Sequence, residues 1–458
     1  MTLNPEIFRQ YDIRGTVGRD LTEASVSTLA RAVGTYLRLR GARRVSLASD
    51  NRLSSDGFRR ILADDLSRSG LDVVDFGVAP TPVFYFTLFN CQTDGGVMIT
   101  GSHNPPEFNG LKVASGRSTI HGDQVQEIAR LAAEGRFAEG KGSVTRDDAR
   151  AKYMDRVLEG IDIKPGLRVA VDCGNGTAGL VVRDLFARTG LRCEFLFCEP
   201  DGRFPNHHPD PTVPRFLEPL KQAVRDGRLD VGIAYDGDAD RIGVVDETGE
   251  ILWGDRLLVV YARDIIARHP GAKVIFEVKC SQALPEAIEK AGGVPIMWKT
   301  GHSLIKSKMQ EEGALLAGEM SGHIFFSDKY YGYDDAIYAS LRLLEIVSRA
   351  GKSLSSLLDD VPRYFTTPEI RVACDDTRKF GIVEDLKRRL AADHTVVSID
   401  GVRVVYPDGW GLVRASNTQP ALVLRFEART PERLEEIRGE ISRALLGVGG
   451  DAVSFGEE

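Results

Sequence analysis

Three aspartates at alternate positions, Asp236, Asp238 and Asp240 in Asp-Gly-Asp-Ala-Asp-Arg241, make the sharpest chemical signal in this chain. In an extended chain alternate side chains project to one side, which predicts that the three carboxylates converge. Converging carboxylates repel unless a cation neutralises them, and hard oxygen ligands with open positions suit Mg²⁺. The apolar runs on either side, Val231-Gly-Ile-Ala234 and Ile242-Gly-Val-Val245, read as strands. An EF-hand would need glycine at its sixth position, where Arg241 stands, although Glu247 does occupy the twelfth. A solvated acidic turn is the plain alternative.

A serine able to act as nucleophile lies in Thr100-Gly-Ser-His-Asn-Pro105, directly after the apolar run Gly96-Val-Met-Ile99. Ser102 at a strand end stands where α/β folds collect ligands; Gly101 permits close backbone approach, and His103 and Asn104 add polar contacts. The same residues also make an ordinary turn. They are not the Gly-x-Ser-x-Gly elbow, which disfavours a peptidase-like serine. Gly318-Glu-Met-Ser-Gly-His323 sets Glu319 and Ser321 two residues apart, able to bond adjacent hydroxyls of a sugar or to close a turn. Arg414-Ala-Ser-Asn-Thr418 offers a guanidinium, two hydroxyls, an amide and backbone N–H groups: a phosphate cradle, or a polar hairpin loop.

Such loops need a scaffold that brings strand ends together, and a strand–helix–strand pattern recurs three times. Gly41-Ala-Arg-Arg-Val-Ser-Leu-Ala-Ser49, Pro165-Gly-Leu-Arg-Val-Ala-Val-Asp172 and Pro270-Gly-Ala-Lys-Val-Ile-Phe-Glu-Val278 each read as a turn feeding a buried strand. Each precedes a helical stretch and a second, Gly-led strand beginning at Gly70, Gly190 or Gly292. This predicts three related mixed α/β domains with largely parallel sheets. After Thr22, the residues Val26, Leu29, Val33 and Leu37 share one helical face, and Gly41 supplies the stop. Periodicity is lost over 134–142, which reads as the first junction; the next two junctions are expected near 248–250 and over 352–368. The expected domains are 1–148, with the serine loop, 149–250, with the aspartates, 251–365, with the Glu319 loop, and a smaller α+β domain, 366–458, with the Arg414 loop.

Over 458 residues, 42% hydrophobic and 27% charged, the composition is that of a soluble globular protein. A net charge of −7 argues against non-specific nucleic-acid binding. Residues 1–14 lack the apolar run of a signal peptide, and no stretch approaches the ~20 apolar residues that span a bilayer. Six scattered cysteines without a Cys-x-x-Cys pair predict free thiols in a reducing cytoplasm and no zinc site.

The four loops, in this order across essentially the whole chain, resemble those of the α-D-phosphohexomutase superfamily. Lys299-Thr-Gly-His-Ser-Leu-Ile-Lys306, Phe204-Pro-Asn-His-His-Pro-Asp210 and the Met320 version of the third loop resemble its bacterial phosphomannomutase/phosphoglucomutase branch. The resemblance implies four domains arranged around a central cleft, the fourth an α+β domain of TATA-box-binding-like fold. It implies that Ser102 is a phosphoserine and that Ser102, Asp236, Asp238 and Asp240 hold Mg²⁺. Arg241 would approach the phosphoserine beside His103, and Glu319 and Ser321 would contact sugar hydroxyls. Arg414, Ser416, Asn417 and Thr418 would grip the non-reacting phosphate. Tyr11, Arg14, Lys112, Lys279, His302 and His323 match other cleft positions. Ala48-Ser-Asp-Asn-Arg52 departs from the Gly-Arg-Asp-x-Arg of many members but keeps Asp50 and Arg52.

The implied reaction interconverts hexose 1-phosphate and hexose 6-phosphate, of mannose and/or glucose. Phospho-Ser102 gives its phosphoryl group to O6, a hexose 1,6-bisphosphate forms and reorients, and its other phosphate returns to the serine. His302 and Lys112 are both candidates for acid/base work, the lysine with a pKa depressed by cations such as Arg14. Alternatives are a phosphoglucosamine mutase, which Met320 disfavours by resemblance, a phosphatase, and a non-catalytic sugar-phosphate-binding regulatory protein. The expected partners are small-molecule sugar phosphates, with no nucleic acid or membrane, for a monomer or weak dimer.

Overall fold

The apolar face after Thr22 folds as helix Glu23–Leu39 in a computed structural model of the protein, which describes residues 3–416, 421–450 and 453–454. The Thr22 and Ser25 hydroxyls each accept the other residue's backbone N–H, closing a capping box. Val26, Leu29, Val33 and Leu37 are buried, and a turn through Gly41 leads into strand Arg44–Ser49.

That strand sits in a sheet ordered Ile13–Thr16, Phe108–Ser115, Gly95–Ile99, Arg44–Ser49, Asp72–Val78, Val144–Arg146, with Ser118–Thr119 beside Phe108–Ser115. Gly95–Ile99, Arg44–Ser49 and Asp72–Val78 run parallel, and Phe108–Ser115 returns antiparallel to Gly95–Ile99. The second sheet repeats this order: Ile242–Asp246, Val231–Tyr235, Arg168–Asp172, Arg192–Leu196. The third does so again with Ile324–Phe326, Leu316–Gly318, Lys273–Glu277, Val294–Trp298. In all three the antiparallel pair is a hairpin. Its connection is the serine loop, the aspartate loop or the Glu319 loop, so three of the four chemical loops are one topological position used three times.

The fourth sheet is antiparallel, ordered Thr395–Val397, Val402–Tyr406, Gly409–Ala415, Ala421–Ala428, Ile370–Cys374, Val453–Ser454. Helices Lys379–Leu390 and Pro431–Gly449 share a core with it through Leu386, Ile437 and Phe426. Strand Ile251–Leu252 carries the second sheet past residue 250, and Phe365–Thr366 adds to the fourth.

One apolar core runs through the first three units. Phe84 and Phe86 from the first belong to it together with Val171 and Phe186 from the second and Tyr261, Phe326 and Leu343 from the third. Burying one continuous surface locks the three sheets together, which aims their hairpin loops at one place. The aperiodic stretch 134–142 does not leave the first unit, contrary to its reading as a junction. Ala138 N donates to Thr35 Oγ1 (2.8 Å), Gly140 N donates to Arg68 O (2.8 Å), and Val144–Arg146 joins the sheet edge. No helix among the described residues is long and apolar enough to cross a membrane.

Candidate active site

The aspartates do not lie on a strand. Val231–Tyr235 has ended and Ile242–Asp246 has not begun, and the loop between them turns through Ala239 at φ 63°. Loop curvature, not strand alternation, therefore makes the carboxylates converge: one oxygen from each lies within 4.8 Å of the others. All three residues are buried. Asp238 Oδ1 and Asp240 Oδ1 have no hydrogen-bond partner among the described residues. Burial, with repulsion from Asp240 and Asp238, holds the Asp236 carboxyl well above its usual range. Orphaned buried oxygens and a carboxyl that resists ionisation call for a neutralising cation, so the residues fit a divalent metal.

Ser102 completes this cluster from the first unit. Its Oγ donates to Asp236 Oδ2 at 2.7 Å and stands 3.2 Å from His103 Nδ1. Ser102 N donates to Thr100 Oγ1 (2.8 Å), and the Thr100 and Thr81 hydroxyls donate to Asp238 Oδ2 (2.9 and 2.6 Å). The loops meet so closely that a Cβ on Gly237 would stand 2.6 Å from the Ser102 carbonyl oxygen, which is why glycine separates the first two aspartates. Asp50 and Arg52 brace the serine loop. Asp50 accepts from Gly101 N (3.0 Å), and Arg52 donates to the carbonyls of Ser102 (2.8 Å) and Phe108 (2.9 Å).

Lys112 overturns one expectation. Arg14 does not depress it, because Arg14 is engaged with Asn104 Oδ1 (2.6 Å) and Asp12 (2.7 Å). Lys112 Nζ lies 3.0 Å from Asp238 Oδ2 and also pairs with Asp240. Burial lowers its pKa, but the two carboxylates outweigh burial and raise it well above the ordinary lysine value. It is a locked cation here and a poor base. His302 is the reverse: burial, then the charge of Lys306, holds it well below the usual histidine value, so its imidazole is neutral. Burial and Arg241 do the same to His103.

The third unit brings Glu319, whose carboxylate accepts from Gly301 N (2.6 Å) and from the Ser321 hydroxyl (3.2 Å). His323 Nε2 accepts from Arg241 Nε at 2.9 Å, and its Nδ1 stands 3.0 Å from Asp334 Oδ2. Lys306 Nζ donates to Asp334 Oδ1 at 3.0 Å. His302 stacks on His323 with centroids 5.7 Å apart, and the Tyr11 ring meets His302 edge-on at 5.2 Å. Sequence reasoning assigned no role to Asp334 or Lys306. The available signal was the Asp334–Asp335 pair, whose second member caps helix Ala336–Ala350.

From the fourth unit Arg414 Nε donates to Asp400 Oδ2 (3.0 Å), which also accepts from Thr300 N (3.0 Å) of the third. Lys279 Nζ donates to Glu369 Oε2 (3.0 Å), another tie between these units. Ser416 N donates to Ala421 O across the mouth of the loop (2.9 Å). Asn417 and Thr418 lie outside the described residues. Tyr11 is raised by burial and by Asp12, with Glu319 and Arg414 near enough to act on it, so the N-terminal segment reaches the third and fourth units.

Four family domains match the chain in order. They are Phosphoglucomutase/phosphomannomutase alpha/beta/alpha domain I over residues 5–139, domain II over 151–249, domain III over 253–365 and the C-terminal domain over 369–444. The chain is 45% identical over 448 residues to a phosphomannomutase/phosphoglucomutase of Pseudomonas aeruginosa, covering 98% of this chain and 97% of that one. It is 42% identical over 449 residues to a phosphoglucomutase of Neisseria gonorrhoeae, covering 97% of each. Among solved structures, a phosphoglucomutase/phosphomannomutase family protein of Burkholderia thailandensis superposes with a TM-score of 0.93 at 41% identity, covering 99% of this chain and 100% of that one.

Proposed function

Because the chain belongs to the phosphoglucomutase/phosphomannomutase family, we propose that Ser102 is the group through which it moves phosphate. The chain is a phosphohexomutase, an isomerase that interconverts hexose 1-phosphate and hexose 6-phosphate of mannose and/or glucose. The 2.7 Å bond from Ser102 Oγ to Asp236, inside a buried carboxylate cluster with orphaned oxygens, carries the assignment of Ser102. A reactive hydroxyl beside such a cluster suits phosphoryl transfer and little else.

In this reading phospho-Ser102 passes its phosphoryl group to a sugar hydroxyl: the Ser102 O–P bond breaks, the sugar O–P bond forms, and the hydroxyl proton leaves to a base. His302 is the better base, since it is neutral and buried while Lys112 is locked by Asp238 and Asp240. Asp236, Asp238 and Asp240 with Ser102 would hold Mg²⁺, which supplies charge neutralisation for the transferring group. Arg14, Arg241 and His103 surround the transfer. Glu319, Ser321, His323, Lys279 and Tyr11 orient the sugar, and Arg414 with Ser416, Asn417 and Thr418 grips the other phosphate. The hexose 1,6-bisphosphate formed between the half-reactions reorients and reloads the serine with its other phosphate. The same reading has the protein acting on small sugar phosphates in the cytoplasm, as a monomer or weak dimer.

Intact-mass measurement alongside a coupled assay on glucose 1-phosphate, mannose 1-phosphate and glucosamine 1-phosphate tests this. One phosphate per chain is expected, absent from Ser102→Ala together with turnover. Turnover surviving in Ser102→Ala would sink the assignment, and inorganic phosphate released without 6-phosphate sugar would favour the phosphatase.

A further inference from the structure

The motif 204–210 takes no part in the chemistry above, yet it lies directly against the serine loop. Ser102 has φ 48°, in the left-handed region that a residue with a side chain rarely adopts unless its surroundings impose it. Nearly every carbonyl of this turn has a dedicated donor. Gly101 O takes Asn104 N (2.9 Å), and Arg52 donates to Ser102 O (2.8 Å), Asn104 O (2.5 Å) and Pro105 O (2.6 Å). Between Ser102 and Pro105 the carbonyl that Arg52 leaves, His103 O, accepts from His208 Nε2 at 2.5 Å. His208 belongs to the second unit, the unit that carries the aspartates.

His208 is itself held in place. His207 Nδ1 donates to His208 O (3.0 Å), and His207 Nε2 donates to Asp172 Oδ2 (2.9 Å) at the end of strand Arg168–Asp172. The Arg52 guanidinium lies 5.5 Å from the centroid of the Phe204 ring, within cation–π range, so this motif also reaches Arg52. A connected path therefore runs from the second sheet through His207 and His208 to the backbone beside Ser102.

We propose that His208 is a positioning residue for phosphoryl transfer: by holding the His103 carbonyl from the second unit, it keeps Ser102 in the turn that aims its hydroxyl at Asp236. The inference rests on Ser102 as the phosphoryl carrier. Without the donor, His103 O loses its side-chain partner, and the turn can relax toward ordinary φ, carrying Oγ away from the aspartates. Sugar binding is untouched, because Glu319, Ser321 and Arg414 sit on other units.

The test compares His208→Leu, which removes the donor, with His208→Gln, whose amide N–H can reach the same carbonyl. Steady-state kinetics on glucose 1-phosphate and single-turnover phosphorylation of Ser102 by glucose 1,6-bisphosphate are the readouts. His208→Leu should lose about 10- to 100-fold in kcat and in the phosphorylation rate, with KM within about two-fold of wild type. His208→Gln should recover most of that loss. Should leucine not be accommodated, His208→Asn, whose amide stops short of the carbonyl, carries the same expected loss. Unchanged kcat in the donor-deficient variant, or equal loss in His208→Gln, would overturn the inference. Ser102→Ala separates the two levels. Where it is inactive and His208→Leu matches wild type, only the positioning role falls; where it stays active, the carrier assignment falls and the positioning role with it.

Discussion

Replacing Asp236 by asparagine changes charge and almost nothing else, which makes it the cleanest probe of the aspartate cluster. Asp236 Oδ1 accepts from Asp240 N (3.1 Å) and Arg241 N (3.2 Å), and an amide oxygen can keep both bonds. The amide nitrogen would face Ser102 Oγ, which can accept from it and turn its own proton toward His103 Nδ1 at 3.2 Å. Two unit charges 4.8 Å apart repel by about 3.5 kcal/mol at an effective dielectric of 20. Holding a proton on Asp236 at pH 7, against an ordinary value of 3.8, costs at most about 4 kcal/mol. Lys112 offsets part of either penalty, so asparagine should stabilise the metal-free protein by about 2–4 kcal/mol. For 458 residues at about 2.1 cal/mol/K each, that is a rise of about 2–4 °C in melting temperature.

The pH dependence has a definite sign. Asp236 is raised in the fold, so the wild type keeps this stability below about pH 4 and loses it as pH climbs through the raised value. The gap between variant and wild type therefore opens from pH 4 upward. Mg²⁺ acts in the opposite direction: at a hundred times its Kd it adds about 2.7 kcal/mol to the wild type and less to a variant lacking one anionic ligand. The assay is thermal melting of dephosphorylated protein in EDTA and in Mg²⁺, from pH 4 to 8. A variant that melts below wild type in EDTA at pH 7, or an equal Mg²⁺ shift in both proteins, would refute the reasoning.

Arg414→Ala removes a buried guanidinium placed for charge-assisted bonds, and should weaken glucose 1-phosphate binding by about 10- to 100-fold, seen in KM, while Ser102 phosphorylation in the intact mass stays as in wild type. Asp335→Asn tests a buried carboxyl pushed by burial up to about 6, where it accepts from Tyr338 N (2.8 Å) and from the Tyr153 and Tyr330 hydroxyls (2.9 and 2.8 Å). Its raised value means stability lost between about pH 4 and pH 6, close to 3 kcal/mol in all, so the variant's melting temperature should gain on wild type across that window and run parallel above it.

Much of this was legible locally. Thr22 and the 26, 29, 33, 37 face specify a capped helix because both signals are satisfied within one segment. The Pro-Gly-led strands at 165 and 270 announce repeated units, since burying a strand needs the same apolar run each time. Where partners come from a distance, local reading failed. Convergence of the triad was read from extended-chain alternation although its loop curves through Ala239, and Lys112 was given Arg14 as a neighbour when Asp238 and Asp240 hold it. Asp334 carried no local mark beyond the helix cap next to it.

By itself the sequence determined the kinds of chemistry available: a serine, three aspartates, the Glu319 carboxylate and a guanidinium, each on a loop beside an apolar strand. Only the tertiary structure decided that these groups meet. Three hairpins occupy the same position in three repeated sheets, and a shared apolar core turns their loops to a common point. It also decided which groups are charged, because ionisation in a buried site depends on neighbours drawn from other units. Lys112 is locked and His302 is neutral for that reason, and no spacing along the chain encodes it.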